Sequence, residues 1–214
     1  MLFLRIMKKI AVIVALESEY ALVSKALGGR PEISLSLCGI GKVNAAVGAT
    51  SLIERSRPDI IISTGVAGAI DSSLKPMDVI AAQRVAYHDV WCGGDLPIGQ
   101  VQGFPLYFDA DKELYAKAMG LKVEGLTIKG GLQISGDRFI TAADLPALQS
   151  LYPDALSVDM ESGALSQTCH RYGIPFISFR LISDSADEGS YNDFWSIAPE
   201  NSFRVLSSFL DAIQ

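Results

Sequence analysis

Histidine and cysteine are scarce in this sequence: its 214 residues hold only His88 and His170, and only Cys38, Cys92 and Cys169. An odd number of thiols without a CxxC pair excludes a disulfide scaffold. Two isolated imidazoles leave a zinc site short of ligands, so no metal is expected. Basic excess is also missing. With 18 Lys and Arg against 24 Asp and Glu, the net charge is −6 and the pI about 4.9, which argues against nucleic-acid or anionic-membrane partners. No GxSxG elbow and no HExxH occurs, which removes serine hydrolases of that type and zincins. The apolar run IAVIVAL at 10–16 is far shorter than the ~20 residues that span a bilayer. No small-residue cleavage site precedes Glu17 and Glu19, so a reducing, cytoplasmic setting is expected. Met7 reads as a plausible start, with residues 1–6 an upstream extension.

What remains is globular material. The apolar fraction is 49% and the charged fraction 20%, a balance suited to one domain over residues 1–214, with some apolar excess available for an oligomer interface. Short β-branched runs at Ile10–Ala15, Asp59–Thr64, Val79–Ala82, Leu132–Ser135, Ala155–Val158 and Phe176–Ser183 read as buried strands. Amphipathic segments at Glu19–Leu27, Asn44–Ser56, Ser162–Tyr172 and Pro199–Ile213 read as helices, with Gly28, Pro58 and Gly173 as stops and Pro199 as a start. Strands alternating with helices make the fold class α/β. The glycine-bearing stretch Trp91–Phe108 reads as one long loop.

Several motifs invite over-reading. GIGKVN at 39–44 has asparagine where a dinucleotide fingerprint needs its last glycine, reads as lying before and not within a strand–turn–helix, and lacks the first glycine of a Walker loop. It is better read as a tight turn before a helix. His88 beside Asp89 lacks further ligands and reads as a hydrogen-bonded loop or interface histidine. His170 reads as a partly exposed helical residue. The three cysteines are assigned to packing.

Acids stand where buried strands end: Glu17 and Glu19, then Asp159 and Glu161, then Asp184. In open α/β sheets ligands bind beyond strand ends, so these acids can converge on one pocket. Each alone is equally well explained as a helix cap or first-turn acid.

Read together, ALESEY (15–20), GIGKVNAA (39–46), TGVAGAI (64–70), YHDVWCGG with GQVQGFP (87–105), SGDRFI (135–140), VDMES (158–162) and RLISD (180–184) resemble the methylthioadenosine/S-adenosylhomocysteine nucleosidases of the nucleoside phosphorylase superfamily. The resemblance covers nearly the whole chain, in order. It implies a single-domain three-layer α/β/α sandwich around a mixed central sheet, a homodimer, no cofactor, a role in methionine salvage, and hydrolysis of adenine nucleosides, with 5′-deoxyadenosine a further candidate substrate. By that resemblance Glu19 activates water, Asp184 protonates purine N7, Met160 and Glu161 hold the ribose hydroxyls, and Phe139 stacks on the base. The Ile140 backbone reads the adenine edge, and Gly68 and Ser183 line the pocket. Val66, which has no hydroxyl, leaves the placing of water to Glu19 and Arg180; Tyr191 and Phe194 either wall the 5′ subsite, with the 91–108 loop and a neighbouring subunit, or are plain core or lid aromatics.

Such chemistry wants these residue types. Cleaving a purine C–N bond puts positive charge on the sugar and negative charge on the base, which calls for an anion near the ribose and an acid at the base. The aspartate must stay protonated near neutral pH, which burial promotes. Water then arrives from the opposite face, as in inverting glycosidases. Phosphorylases of the superfamily carry a glycine- and arginine-bearing phosphate loop after the first strand. Here that segment is Leu16-Glu17-Ser18-Glu19, and carboxylates repel phosphate. The chain departs from the nucleosidase pattern at Val66, usually serine, at Asp159, usually glutamate, and at Ser162, often alanine. Other readings stand beside hydrolysis of these two substrates: a futalosine or aminodeoxyfutalosine hydrolase, a purine nucleoside phosphorylase, and a non-catalytic nucleoside binder.

Overall fold

The computed structural model describes residues 8–184 and 198–214. The first apolar run forms β1 (Ile10–Val14), buried along its whole length. Alternate side chains of a strand point to opposite faces: Ile10, Val12 and Val14 join one apolar cluster, while Ala11 and Ile13 join another. A strand covered on both faces must be apolar throughout, and this is why the run does not alternate with polar residues.

The chain continues through α1 (Glu17–Leu27), β2 (Ile33–Leu37), α2 (Lys42–Ser56), β3 (Ile60–Ala69), β4 (Val79–Tyr87), β5 (Phe108–Asp109), α3 (Lys112–Met119) and β6 (Ile128–Ser135). It ends with α4 (Leu145–Leu151), β7 (Ala155–Asp159), α5 (Ser162–Tyr172), β8 (Phe176–Asp184) and α6 (Ala198–Ile213). Residues of α1, α3 and α6 share the cluster of Ile10, Val12 and Val14, and residues of α2 and α5 share that of Ala11 and Ile13. The helices therefore sit on both faces of one mixed, eight-stranded sheet in the order β2-β1-β3-β7-β6-β4-β5, with β8 bonded to both β3 and β4. The expected layered α/β architecture is what forms.

That pairing pattern closes a ring. β3 bonds β8, β8 bonds β4, β4 bonds β6, β6 bonds β7, and β7 returns to β3 at Gly68 and Ala69. A bulge between Ala67 and Gly68 marks where β3 leaves its register with β8, and bulges of this kind bend a strand and re-aim its side chains.

Several elements escape the sequence reading. β2 and β5 were not anticipated, nor were α3, capped by Asp111 through the N–H groups of Glu113 and Leu114, and α4. β6 starts at Ile128, ahead of the expected Leu132, because Gly130-Gly131 interrupts the apolar pattern. Since β2 precedes and α2 follows it, the 39–41 turn lies inside a strand–turn–helix unit, contrary to expectation; it is still the tight turn before a helix that was expected. Among the described residues no helix is long and apolar enough to cross a membrane.

Candidate active site

Ala15 and Leu16 turn the chain from β1 into α1, and their N–H groups both donate to Glu19 Oε2 at 3.0 Å. The Val66 N–H approaches Oε1 at 3.3 Å. Glu19 therefore plays the local part of a first-turn acid reaching back to the helix start, yet it is only 7% exposed and faces a cleft. Gly65 makes room for it, since a Cβ there would stand 2.7 Å from Glu19 Oε1.

Glu161 follows β7 and sits at the N-cap of α5 in a non-helical conformation. It is 8% exposed, and its Oε1 accepts the Gly41 N–H at 2.9 Å. Both carboxylates line one cleft of about 160 Å³, open to solvent, at the end of β3 where Val66, Ala67 and Gly68 form its floor.

Of the residues singled out from the sequence, Glu19, Gly68, Phe139, Ile140, Met160, Glu161 and Ser183 all line this cleft. Phe139 is half exposed at the rim and Ile140 is buried. Ser183 Oγ lies 3.4 Å from the Ala67 carbonyl, to which it donates. Arg180 lines a smaller cavity of about 10 Å³ instead, together with Glu19, Glu161 and Cys38. Asp184 closes β8 beside Gly68 in the sheet register, with its side chain outside the described residues. Tyr191 and Phe194 also lie outside them. Glu17 is exposed and belongs to no site, so the second acid near Glu19 is Glu161.

Arg180 is occupied. Its Nε donates to Asp159 Oδ2 at 2.8 Å, Nη2 to Ser63 Oγ at 2.9 Å and Nη1 to the Phe179 carbonyl at 2.9 Å. Asp159 also accepts from Ser162 Oγ at 2.5 Å, and Ser162 continues the buried network through Ser178 and Gln133. Three buried carboxylates thus surround one buried guanidinium. Burial, opposed by Arg180 and the backbone donors, raises Glu19 above the ordinary carboxylate range. Burial and the nearby charge of Asp159 push Glu161 up to about 7, against the Gly41 N–H and Arg180. One cation cannot hold three acids ionised in a low-dielectric site, and near neutrality Glu161 is poised between its two forms.

The glycine turn that resembled a phosphate loop is filled by the protein's own anions. Gly41 N–H goes to Glu161 and Lys42 N–H to Asp137 Oδ1 at 2.6 Å. Sequence reasoning did not foresee this use of Gly41, Lys42, Asp89 and Asp137, although all four fall within the motifs that carried the resemblance. His88 Nε2 is buried and has no hydrogen-bond partner among the described residues, and burial holds the imidazole below its ordinary pKa. His170 is exposed and edges against Phe108 at 5.6 Å. Cys169 is buried as expected of a packing residue, whereas Cys92 is exposed. Among the described residues no group of three His, Cys, Asp or Glu side chains is placed to hold a metal ion.

The sequence model of the phosphorylase superfamily matches residues 9–211. Among solved structures, the chain is similar to the 5′-methylthioadenosine/S-adenosylhomocysteine nucleosidase of Neisseria meningitidis in complex with methylthio-immucillin-A. The two are 33% identical, over 95% of this chain and 99% of that one, with a TM-score of 0.89. The nucleosidase of Colwellia psychrerythraea 34H, in complex with adenine, is 28% identical over 96% and 95% of the two chains, with a TM-score of 0.90. The futalosine hydrolase of Helicobacter pylori is 26% identical over 95% and 97%, with a TM-score of 0.88.

Proposed function

This chain belongs to the phosphorylase superfamily, in its methylthioadenosine/S-adenosylhomocysteine nucleosidase branch, and from that premise we propose that it hydrolyses the N-glycosidic bond of an adenine nucleoside of that kind. The observation that carries this reading is the pair of buried carboxylates, Glu19 and Glu161, in one cleft walled by Phe139, Ile140 and Met160.

In this reading the base lies against Phe139, and the Ile140 backbone reads its edge. Met160 and Glu161 hold the ribose, with Glu161 ionised when it accepts from the hydroxyls. Glu19 takes a proton from water as the water attacks the anomeric carbon, and its raised affinity for protons suits a general base working near pH 7. Asp184 gives a proton to N7 as the C–N bond breaks, so adenine leaves neutral. Its place at the end of β8 beside Gly68 supports that assignment. Arg180 acts from behind, as the fixed cation that keeps Glu19 and Asp159 from repelling each other out of place. Val66 offers water no hydroxyl, which leaves the orientation of water to Glu19. Ser183 and Gly68 shape the floor, and Tyr191 belongs to the 5′ subsite.

Hydrolysis is preferred to phosphorolysis because a phosphate would meet Glu19 and Glu161. The cations beside them are already paired, Arg180 with Asp159 and Arg138 at the rim with Asp144. A homodimer is part of the same proposal, supported by exposed Ile40 in the turn before α2, Val43 and Val47 on its first turns, and exposed Trp91 and Ile98. A cytoplasmic setting accords with three unpaired thiols. The likeness to a futalosine hydrolase supports a second reading with the same carboxylates and a different base. The test is release of free adenine from methylthioadenosine in phosphate-free buffer, with futalosine run in parallel. Adenine release without phosphate is expected; release that depends on phosphate refutes hydrolysis, and turnover of futalosine alone favours the second reading.

A further inference from the structure

Two walls of the cleft come from segments far apart in the chain. Ile40, in the turn before α2, lines one side, and Arg138, Phe139 and Ile140, after β6, line the other. Neither segment is a strand of the ring beneath, so their separation must be set by something else.

A compact set of bonds joins them. Asp137 Oδ1 accepts the Lys42 N–H at 2.6 Å, at the N-terminus of α2. The Asp137 N–H donates to Asp89 Oδ2 at 2.8 Å, and the same oxygen accepts from Lys42 Nζ at 2.8 Å. Lys42, Asp89 and Asp137 therefore form a closed loop of three bonds across the ends of α2, β4 and β6. Burial alone would push Asp89 up, yet Lys42 and the Asp137 N–H outweigh it and hold the carboxylate below its usual range. One residue along, the Gly41 N–H is the donor to Glu161. Gly41 has a φ of +90°, and a Cβ there would stand 2.8 Å from Asp137 Oδ1, so turn and carboxylate are in contact.

We propose that Asp137 is a positioning residue, which caps α2 from another segment and so holds the Gly41 N–H on Glu161 and the Phe139–Ile140 wall at a fixed distance from Ile40. The assignment of Glu161 to the ribose and of Phe139 to the base rests on the function proposed above; the mechanical link does not. Asp137 touches no substrate in this arrangement.

The test compares Asp137→Ala with Asp137→Asn, whose side-chain oxygen still accepts the Lys42 N–H. By amide hydrogen exchange, Lys42 and Asp137 report their own bonds and Gly41 reports the bond to Glu161. In the alanine variant exchange at 39–42 and 136–140 is expected to rise together by about fivefold, the effect of losing a helix cap, with β3 and β8 unchanged. KM for the nucleoside rises by a similar factor while kcat stays within about twofold, and the acid limb of kcat/KM moves to higher pH because Glu161 loses its donor. The asparagine variant restores most of each. Unchanged exchange at 39–42, or a loss of protection spread evenly over the sheet, overturns the proposal. Should the wild type release no adenine from any nucleoside offered, the hydrolase reading fails, and the exchange data still decide for or against Asp137.

Discussion

Replacing Glu161 by glutamine should make the protein more stable above neutral pH and inactive at the same time. The folded site holds this carboxyl at about 7, against 4.5 for the free group. Between those values the folded state keeps a proton that the unfolded chain has lost, so wild-type stability falls as pH rises from about 4.5 to about 7 and stays low above. At about 1.36 kcal/mol per pH unit, the difference of 2.5 amounts to roughly 3 kcal/mol. This is an upper limit, since glutamine accepts the Gly41 N–H without a charge. For a chain of this length each kcal/mol moves Tm by roughly 2–4 °C. Thermal melts of both proteins at pH 8 and pH 5 read the effect directly: the variant should melt about 5 °C or more above the wild type at pH 8, and the gap should shrink to about a quarter of that at pH 5. An equal difference at both pH values would refute the reasoning, because it would then lie in packing and not in the buried charge.

Glu19→Gln should lower adenine release by about 10²-fold or more while an unreactive nucleoside analogue binds within a few-fold of wild type; near-normal turnover would remove Glu19 from the mechanism. Asp184→Asn should cost both rate and affinity for free adenine, by ~10²-fold in kcat, measured by steady-state kinetics and calorimetry. Arg180→Met should destabilise by about 3–5 kcal/mol in urea melts, because it strands Asp159 as an unpaired buried charge. A loss under 1 kcal/mol would mean that Asp159 takes up a proton and tolerates the change.

The sequence announced its strands through burial, since a run such as Ile10–Val14 is apolar on both faces and nothing else explains it. Glu19 and Glu161 were visible as acids at strand ends, and as first-turn and capping residues they also satisfy the plainer reading. Burial, which composition cannot express, separates them from exposed Glu17. Arg180 was found but its position was not: in RLISD its neighbours suggest a residue of the pocket, whereas the pleat turns it toward Asp159 and Ser63. The Gly41–Glu161 bond spans 120 positions and the Lys42–Asp137 bond 95, and no local pattern encodes pairs at such separations. β2 and α3 were missed for a different reason, being short and only half buried.

The ring of β3, β8, β4, β6 and β7 carries a mechanical consequence. In an open sheet one strand can slide or splay by stretching the bonds along a single seam, but in a closed circuit any such shear must be shared by every seam. The floor beneath Glu19 and Gly68 is therefore the stiff part of the molecule. Give in the cleft belongs to the parts tied on from outside, the 39–42 turn and the 136–140 loop, and its compliance is that of the three-bond loop through Asp89 that joins them.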